Sequence, residues 1–187
     1  MMTPLRQNIR KLASNPRGSA AVEMALVTPL LVILMFGSME LGNYFLNQHA
    51  VSKQVRDGAR FASRMTLASA YDCIEGPAAD SGVFEDPGAT ATIVNVTKTG
   101  SVGGSATGRF GDVFWADACG QSAEALTVTM RCVAKDLYGG IYTGLAGNIP
   151  VVTVSADVAY PSLFGTLGFN ASALCLRATS EAAVAGL

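Results

Sequence analysis

The sequence predicts an α+β protein, in which a long amino-terminal helix packs against a small antiparallel β-sheet. Two observations predict this class. One long apolar run lies near the amino terminus, and four short stretches of alternating apolar and polar residues follow one another later in the chain. Strands that arrive consecutively, without helices between them, favour an antiparallel sheet, and its apolar face would pack on the helix.

The composition divides the chain into two parts. Charged residues make up 14% of the sequence, against about 25% in an average soluble domain, and this deficit argues against disorder and against an ordinary cytosolic enzyme. Residues 1–69 carry a net charge of +5 and residues 70–187 a net charge of −6. The two parts therefore suit different environments, and the overall charge of −1 gives no reason to expect nucleic acid as a partner.

The apolar run predicts a membrane-spanning helix over about residues 20–46. No charged residue lies between Glu23 and Glu40, and this core would span roughly 24 Å as a helix, which the flanking apolar residues extend toward the hydrocarbon thickness of about 30 Å. The amino-terminal flank is basic and contains Arg6, Arg10, Lys11 and Arg17. Such a flank predicts a cytoplasmic amino end, with residues 47–187 on the far side of the membrane.

Two other interpretations of this run are open. A cleaved secretory signal would need a small-x-small site just beyond the apolar residues, but the sequence there is ELGNYFLNQHAVSKQ. A buried core helix is less consistent with the length and the basic flank. Within the run, Glu23 requires an explanation, because a carboxylate in a membrane costs about 2.5–3.5 kcal/mol and usually has a partner. Either it lies at the interface, where it snorkels or pairs with Arg17, or it has a functional partner.

Residues 17–63 closely resemble the TadE-like family, the pseudopilins or minor pilins of the bacterial Tad (tight adherence, Flp) pilus machinery. The matching pieces are R-G-S-A-A-V-E at 17–23, P-L-L at 29–31, F-G-S-M-E at 36–40 and R-D-G-A-R at 56–60. The resemblance implies a basic leader over residues 1–18 and cleavage by a prepilin peptidase between Gly18 and Ser19. Glu23 would then be the fifth residue of the mature chain.

The resemblance also implies function, partners and location. It makes the chain a minor pilin or pseudopilin that takes part in assembling a Tad-type pilus for surface adherence or secretion. The implied partners are the inner membrane, the prepilin peptidase, other Tad pilins and pseudopilins, and the Tad assembly platform. The protein would cross the inner membrane once, with its carboxy-terminal head in the periplasm or on a surface pilus.

Cleavage after Gly18 has a physical consequence for Glu23. It removes the four leader charges and creates an α-amino group on Ser19 at the same end of the apolar helix as Glu23. In a bundle of such helices, Glu23 of one chain can pair with the amino group of a neighbour. This ion pair offsets the cost of desolvating the two charges only when the helices have the correct axial register. It therefore determines the register of the helices more than it increases their affinity.

The helical pattern continues beyond the membrane to about Ser69, as a stem over residues 47–69. A stripe at steps of three and four predicts its core face, and Gly58 and Ala62 on this stripe would allow another backbone to approach closely. Its members are Tyr44, Gln48, Val51, Val55, Gly58, Ala62, Met65 and Ser69. The basic residues at 53–64 lie off the stripe, as a solvated face or a surface for lipid headgroups or an acidic neighbour. His49 is interpreted as a surface residue of the stem.

Residues 70–187 are predicted to form a β-rich head. Residues 70–125 are rich in turn-forming Gly, Pro, Asp and Ser, and Phe114 and Trp115 in this region are interpreted as a local anchor. Alternating patterns predict four strands. They are Thr90–Thr97, Ala125–Val133, Val151–Tyr160 and Ala173–Thr179.

The four cysteines all lie in the predicted head and predict two disulfides. They contain no C-x-x-C spacing, which argues against zinc or a thioredoxin-like site. Three pairings are possible, and free buried thiols are a further alternative. We favour the pairing of two loops through Cys73 and Cys119, and of two strands through Cys132 and Cys175.

The sequence contains no recognisable catalytic, metal or cofactor motif, so we expect no enzyme activity, metal or cofactor. The loop acids have no known calcium-ligand spacing, and solvated acids are the favoured interpretation over a calcium site. They are Asp80, Glu85, Asp86, Asp112 and Asp117. The main functional alternative to a pilin is a permanently membrane-anchored periplasmic binding or sensor module, which would keep its basic leader.

Overall fold

The computed structural model confirms the α+β class, with a long apolar helix and a three-stranded antiparallel sheet. It describes residues 16–66, 71–73, 83–84, 86–104, 115, 117–120, 124–135, 140–143, 147–165 and 174–185. In chain order the elements are α1 (Pro16–Ala62), β1 (Tyr71–Asp72), β2 (Val83–Phe84), α2 (Pro87–Thr99), β3 (Leu126–Val133), a 3-10 turn (Gly140–Tyr142), β4 (Ile149–Ala159) and β5 (Cys175–Ala183).

The chain divides into two compact units, Met1–Asn43 and Tyr44–Leu187. The described part of the first unit is the amino-terminal portion of α1, a helix that contains Pro29. The second unit contains the rest of α1, the sheet and α2. Most of the predicted leader lies outside the described residues.

The main sheet has the strand order β3-β4-β5, and both pairs are antiparallel. The three long strands correspond to three of the four predicted ones. Alternate residues of β4 are buried, as the period of two predicted, and they lie on the face that forms the core. The buried members are Val152, Val154, Ala156 and Val158.

The core of the second unit lies between this sheet face and the stem part of α1. Val51, Val55 and Ala62 of the predicted stripe are buried in one cluster with residues of all three strands. Trp115, predicted to be a local anchor, is buried in the same cluster, whereas Phe114 lies outside the described residues. The predicted packing of the sheet on the stem is therefore confirmed.

The prediction of a strand at Thr90–Thr97 is wrong, because these residues belong to helix α2. The β-branched residues in TATIVNVT suggested a strand, but the flanking residues define a helix. Asp86 is the N-cap and accepts a hydrogen bond from the Gly88 amide at 2.8 Å, Pro87 occupies the first turn, and Gly100 caps the carboxyl end at φ 75°.

Helix α2 approaches α1 closely at Gly58. A Cβ atom at Gly58 would lie 1.9 Å from Oγ1 and 3.1 Å from Cβ of Thr97. Thr97 is buried, and its hydroxyl donates to the Ile93 carbonyl within α2. The close approach predicted for this glycine therefore takes place within the chain, against the helix that the sequence pattern assigned as a strand.

The four cysteines form two disulfides, as predicted, but the favoured pairing is wrong. The bonds are Cys73–Cys132 and Cys119–Cys175, with Cα atoms 5.7 and 5.6 Å apart. Cys73 follows β1 and lies by β3, while Cys119 lies beside the end of β4 that pairs with Cys175. The fold, more than the sequence separation, decided which sulfurs meet.

The stem helix also covers the free edge of β5. Tyr44 Oη donates to the Cys175 carbonyl at 3.4 Å, and Gln48 Nε2 donates to the Arg177 carbonyl at 2.6 Å. These contacts occupy backbone acceptors that an edge strand otherwise leaves open to another chain. Helix α1 ends at Ala62, earlier than predicted, and the Ser63 carbonyl accepts from the Ala185 amide. Residues 67–69 of the predicted stem lie outside the described part of the chain.

Candidate functional site

The predicted processing point lies in the first turns of α1. Gly18 and Ser19 are both helical and exposed. A Cβ atom at Gly18 would meet nothing within 4 Å, so no packing contact requires glycine there. Packing against the described residues therefore does not account for the glycine.

Glu23 lies one turn further along α1 than Ser19 and is exposed. Residues four apart share a face of a helix, with an axial separation of about 6 Å. Among the described residues, the structure places no ion-pair partner beside the Glu23 carboxylate. A nitrogen at Ser19 and the carboxylate of Glu23 would therefore point to the same side of the helix, available to neighbours.

Large apolar side chains cover this part of α1 on all sides. Leu26 is 75% exposed and Val22 63%, values far above those of any core residue. Other exposed members of the run are Met24, Leu30, Leu31, Ile33, Leu34 and Met35. Contiguous exposed apolar surface of this extent indicates contact with lipid or with other apolar helices.

The hydroxyl groups inside the run are satisfied by their own helix. Thr28 Oγ1 donates to the Met24 carbonyl at 2.6 Å, and Ser38 Oγ donates to the Met35 carbonyl at 2.8 Å. A polar group without a partner is costly in hydrocarbon, and back-bonding of this kind removes that cost. Glu23 differs from Thr28 and Ser38, because its carboxylate has no ion-pair partner among the described residues.

The other candidate residues are spread over the second unit. His49 is exposed on α1. Of the loop acids considered as calcium ligands, Asp86 caps α2 and Asp117 is exposed. The other three lie outside the described residues. Ligand atoms of Cys119, Asp157 and Cys175 lie within 4.8 Å of one another, but the two sulfurs are bonded to each other and offer no thiolate to a metal.

The outer face of the sheet is polar and carries a shallow groove. Two ion pairs cross this face, Arg131–Glu181 at 3.0 Å and Arg177–Asp157 at 3.2 Å. The groove has a volume of about 550 Å³. It is lined by Glu124, Thr127, Ser155, Ala156, Asp157, Arg177 and Thr179. The hydroxyls and the two carboxylates of this lining recognise polar groups, but the lining contains no nucleophile–base pair.

These features define a class, an α+β protein with one helix in the described chain that is long and apolar enough to cross a membrane. Residues 18–60 match the family model of TadE-like proteins, which confirms the resemblance inferred from the sequence. The match covers 43 of the 187 residues. No curated protein and no solved structure matched the chain.

The matched region contains three features of the structure. It begins at Gly18, includes Glu23, and ends beyond Gly58, the position where α2 approaches α1. The sequence pattern identified each of these residues, but it did not identify Thr97 as the neighbour of Gly58. A helical spacing of the buried residues Ala89, Ile93 and Thr97 is the signal that would have found it.

Proposed function

We propose that this chain is a minor pilin or pseudopilin that takes part in assembling a Tad-type pilus. The observation that carries this proposal is the exposed apolar surface around α1 at Leu26 and its neighbours, in a region that matches the TadE-like family. A helix that buries none of this surface against the described part of its own chain acts through association with lipid or with other helices.

The first step is removal of the leader between Gly18 and Ser19 by a prepilin peptidase. The basic leader keeps the amino end in the cytoplasm while the helix inserts. The head then lies in the periplasm, where an oxidising environment is consistent with the two disulfides. Cleavage leaves an apolar helix with one new cation at its end.

The second step is lateral packing of the helix with Glu23 paired to the Ser19 amino group of a neighbour. The carboxylate is exposed and has no ion-pair partner in the described part of its own chain. In hydrocarbon an unpaired carboxylate is costly, so helices associate in the register that pairs it. The other Tad pilins and the assembly platform are the partners that meet this surface.

Amino-terminal mass spectrometry of the protein from membranes tests the first step. We expect mature protein to begin at Ser19 when a prepilin peptidase is present, and at Met1 or Met2 when it is absent. Gly18→Val should block cleavage, while Gly42→Ala, another open glycine of α1, should leave it unchanged. Protein that keeps its basic leader in cells that make pili would overturn the proposal and favour the permanently anchored binding or sensor module.

Moving the carboxylate of Glu23 to the neighbouring position of α1 tests the second step. The double variant Val22→Glu with Glu23→Val keeps the charge and the composition but turns the carboxylate by about 100° around the helix. We expect normal insertion and cleavage but loss of co-purification with other pilins, as for Glu23→Ala. Glu23→Asp should keep most of the association. If the shifted carboxylate supports normal assembly, register pairing by Glu23 is wrong.

A further inference from the structure

A stripe of four basic side chains follows the outer face of the stem. It consists of Lys53, Arg56, Arg60 and Arg64, and we call it the basic stripe. Spacings of three and four residues place Lys53, Arg56 and Arg60 on one side of α1. Arg64 follows in the turn after the helix ends, and all four are exposed. Val51 and Val55, which are fully buried, lie on the opposite face. The described part of the head therefore does not cover the basic stripe.

The basic stripe carries charge that the described part of its own chain does not neutralise. The ion pairs of the described residues are on the outer face of the sheet, and none involves the stripe. The one acid among these positions is Asp57, which is exposed and lines a small hollow beside Thr97 and Gly100 of α2. The face thus keeps a net positive charge along about 10 Å of helix between Lys53 and Arg60.

The head carries the opposite charge, and the backbone places three acidic residues near one end of β4. Asp117 and Glu124 are exposed and form no ion pair with described residues. The backbone brings them to one end of β4, because the Asp117 carbonyl accepts from the Ala159 amide and the Ala125 carbonyl accepts from the Asp157 amide. We call Asp117, Glu124 and Asp157 the acidic corner. Its only described cation is Arg177, which pairs with Asp157.

The acidic corner borders the groove on the outer face of the sheet. Glu124 and Asp157 line this groove together with the hydroxyls of Ser155 and Thr179. Arg177 also lines this groove and pairs with Asp157, which leaves Glu124 as the carboxylate of the lining without an ion pair among the described residues. Carboxylates and hydroxyls are acceptors for the five N–H donors of a guanidinium.

We propose that the basic stripe of one copy docks on the acidic corner and groove of a second copy. The proposal rests on the proposed pilin function and names a partner for the head. Stem and head are different surfaces, so the contact is heterologous, and repetition of a heterologous contact builds an open filament. The leader charges are absent from the mature chain, but stem residues 47–69 still carry a net charge of +3 and residues 70–187 a net charge of −6, which matches such a head-to-stem arrangement.

The geometry favours a protein partner over lipid headgroups. Each headgroup layer of a bilayer is about 5–8 Å thick. Arg60 follows Leu46, the last residue of the apolar run, by about 21 Å of helix. A row of charges that extends along the helix beyond the thickness of the headgroup layer fits an elongated protein surface. Lipid is therefore the competing occupant that the experiment must exclude.

The test is co-purification of two differently tagged full-length copies, co-expressed and extracted in mild detergent at low salt. With Arg56→Glu and Arg60→Glu in both copies, we expect recovery of the second copy to fall at least about tenfold. Adding Asp117→Lys and Glu124→Lys to both copies restores the opposite charges and should restore recovery. The matched control is Lys98→Glu with Arg131→Glu, which changes the net charge equally outside the stripe and should leave recovery unchanged. Trp115 fluorescence verifies that each variant is folded.

Three results would overturn the proposal. In the first, the stripe reversal (Arg56→Glu with Arg60→Glu) lowers recovery no more than the matched control does, which excludes the contact. In the second, the four-substitution variant fails to restore recovery. If the stripe reversal instead abolishes binding to vesicles with anionic phosphatidylglycerol and leaves recovery intact, lipid is the occupant. Leader cleavage is measured on the same samples, so a failed pilin function, with the leader retained, is distinguishable from a failed head-to-stem contact.

Discussion

The two halves of α1 have opposite relations to the rest of the chain. Around Leu26 the helix exposes most of its apolar surface, whereas Val51 and Val55 on the stem are fully buried. The glycines show the same difference. A Cβ atom at Gly37 or Gly42 would meet nothing, but one at Gly58 would clash with Thr97.

This difference shows where the partners of each half lie. The stem half is stabilised by side chains of its own head, so its residues determine whether the head folds. The amino-terminal half has no such contacts with the described residues of its own unit, so we expect its residues to act through lipid or other helices. A substitution in one half should therefore disturb folding, and the same substitution in the other should disturb insertion or association.

We expect the largest effects from introducing a carboxylate into each half of α1. Val55→Asp buries an unpaired charge in the core, which costs on the order of 3–5 kcal/mol, and we expect the head to unfold. Leu31→Asp should leave the head folded but oppose membrane insertion by about 2.5–3.5 kcal/mol. Urea unfolding in detergent, followed by Trp115 fluorescence, and carbonate extraction of membranes measure the two effects. An unfolded head in Leu31→Asp would contradict the separation of the two halves.

The next effect is loss of a disulfide in the head. Cys73→Ser with Cys132→Ser should lower the free energy of unfolding by about 2–4 kcal/mol, because the bond closes a loop of 59 residues. The same urea titration measures it. Non-reducing peptide mapping should find Cys119 linked to Cys175 in this variant. A Cys73–Cys119 peptide from the unmodified protein would contradict the observed pairing.

We expect a smaller effect when alanine replaces a closely packed glycine, and none when it replaces a glycine with open space around it. Gly58→Ala forces α1 away from α2 and should destabilise the head by about 1–3 kcal/mol. Gly42→Ala, with open space around it, is the matched control and should not change head stability. Thr97→Ala removes Oγ1, so the cost of Gly58→Ala should be smaller in that background. Equal costs in both backgrounds would show that the Thr97 contact does not matter.

The smallest effect is loss of the N-cap of α2. Asp86→Ala removes the acceptor for the Gly88 amide and should cost about 1 kcal/mol of head stability. Asp86→Asn keeps an acceptor and should cost less. Urea titration again measures both variants. Because the cap is exposed, an effect above that of Gly58→Ala would indicate a second role for Asp86.

Helix α2 shows how a local pattern misleads. Its β-branched residues alternate, and this favours a strand when only composition is considered. The side chains that are buried are nevertheless Ala89, Ile93 and Thr97, which follow a helical spacing. The N-cap at Asp86 and the C-cap at Gly100 were visible in the sequence and would have favoured a helix.

The cysteine pairing shows a different limit. The number of cysteines and the predicted oxidising compartment were sufficient to predict two disulfides. Which sulfur pairs with which depends on how segments about sixty residues apart are placed by the sheet. No local property of Cys73 or Cys119 contains that information.

The sequence by itself determined the apolar run, its basic flank, the TadE-like motif around Gly18 and Glu23, and the three strands of the sheet. These features depend on composition and on short periods, which a linear chain displays directly. Only the tertiary structure decided that Gly58 meets Thr97, that Cys73 bonds Cys132, and that Tyr44 and Gln48 cover the edge of β5. Those contacts join residues distant in sequence, and they form only where packing of the core brings them together.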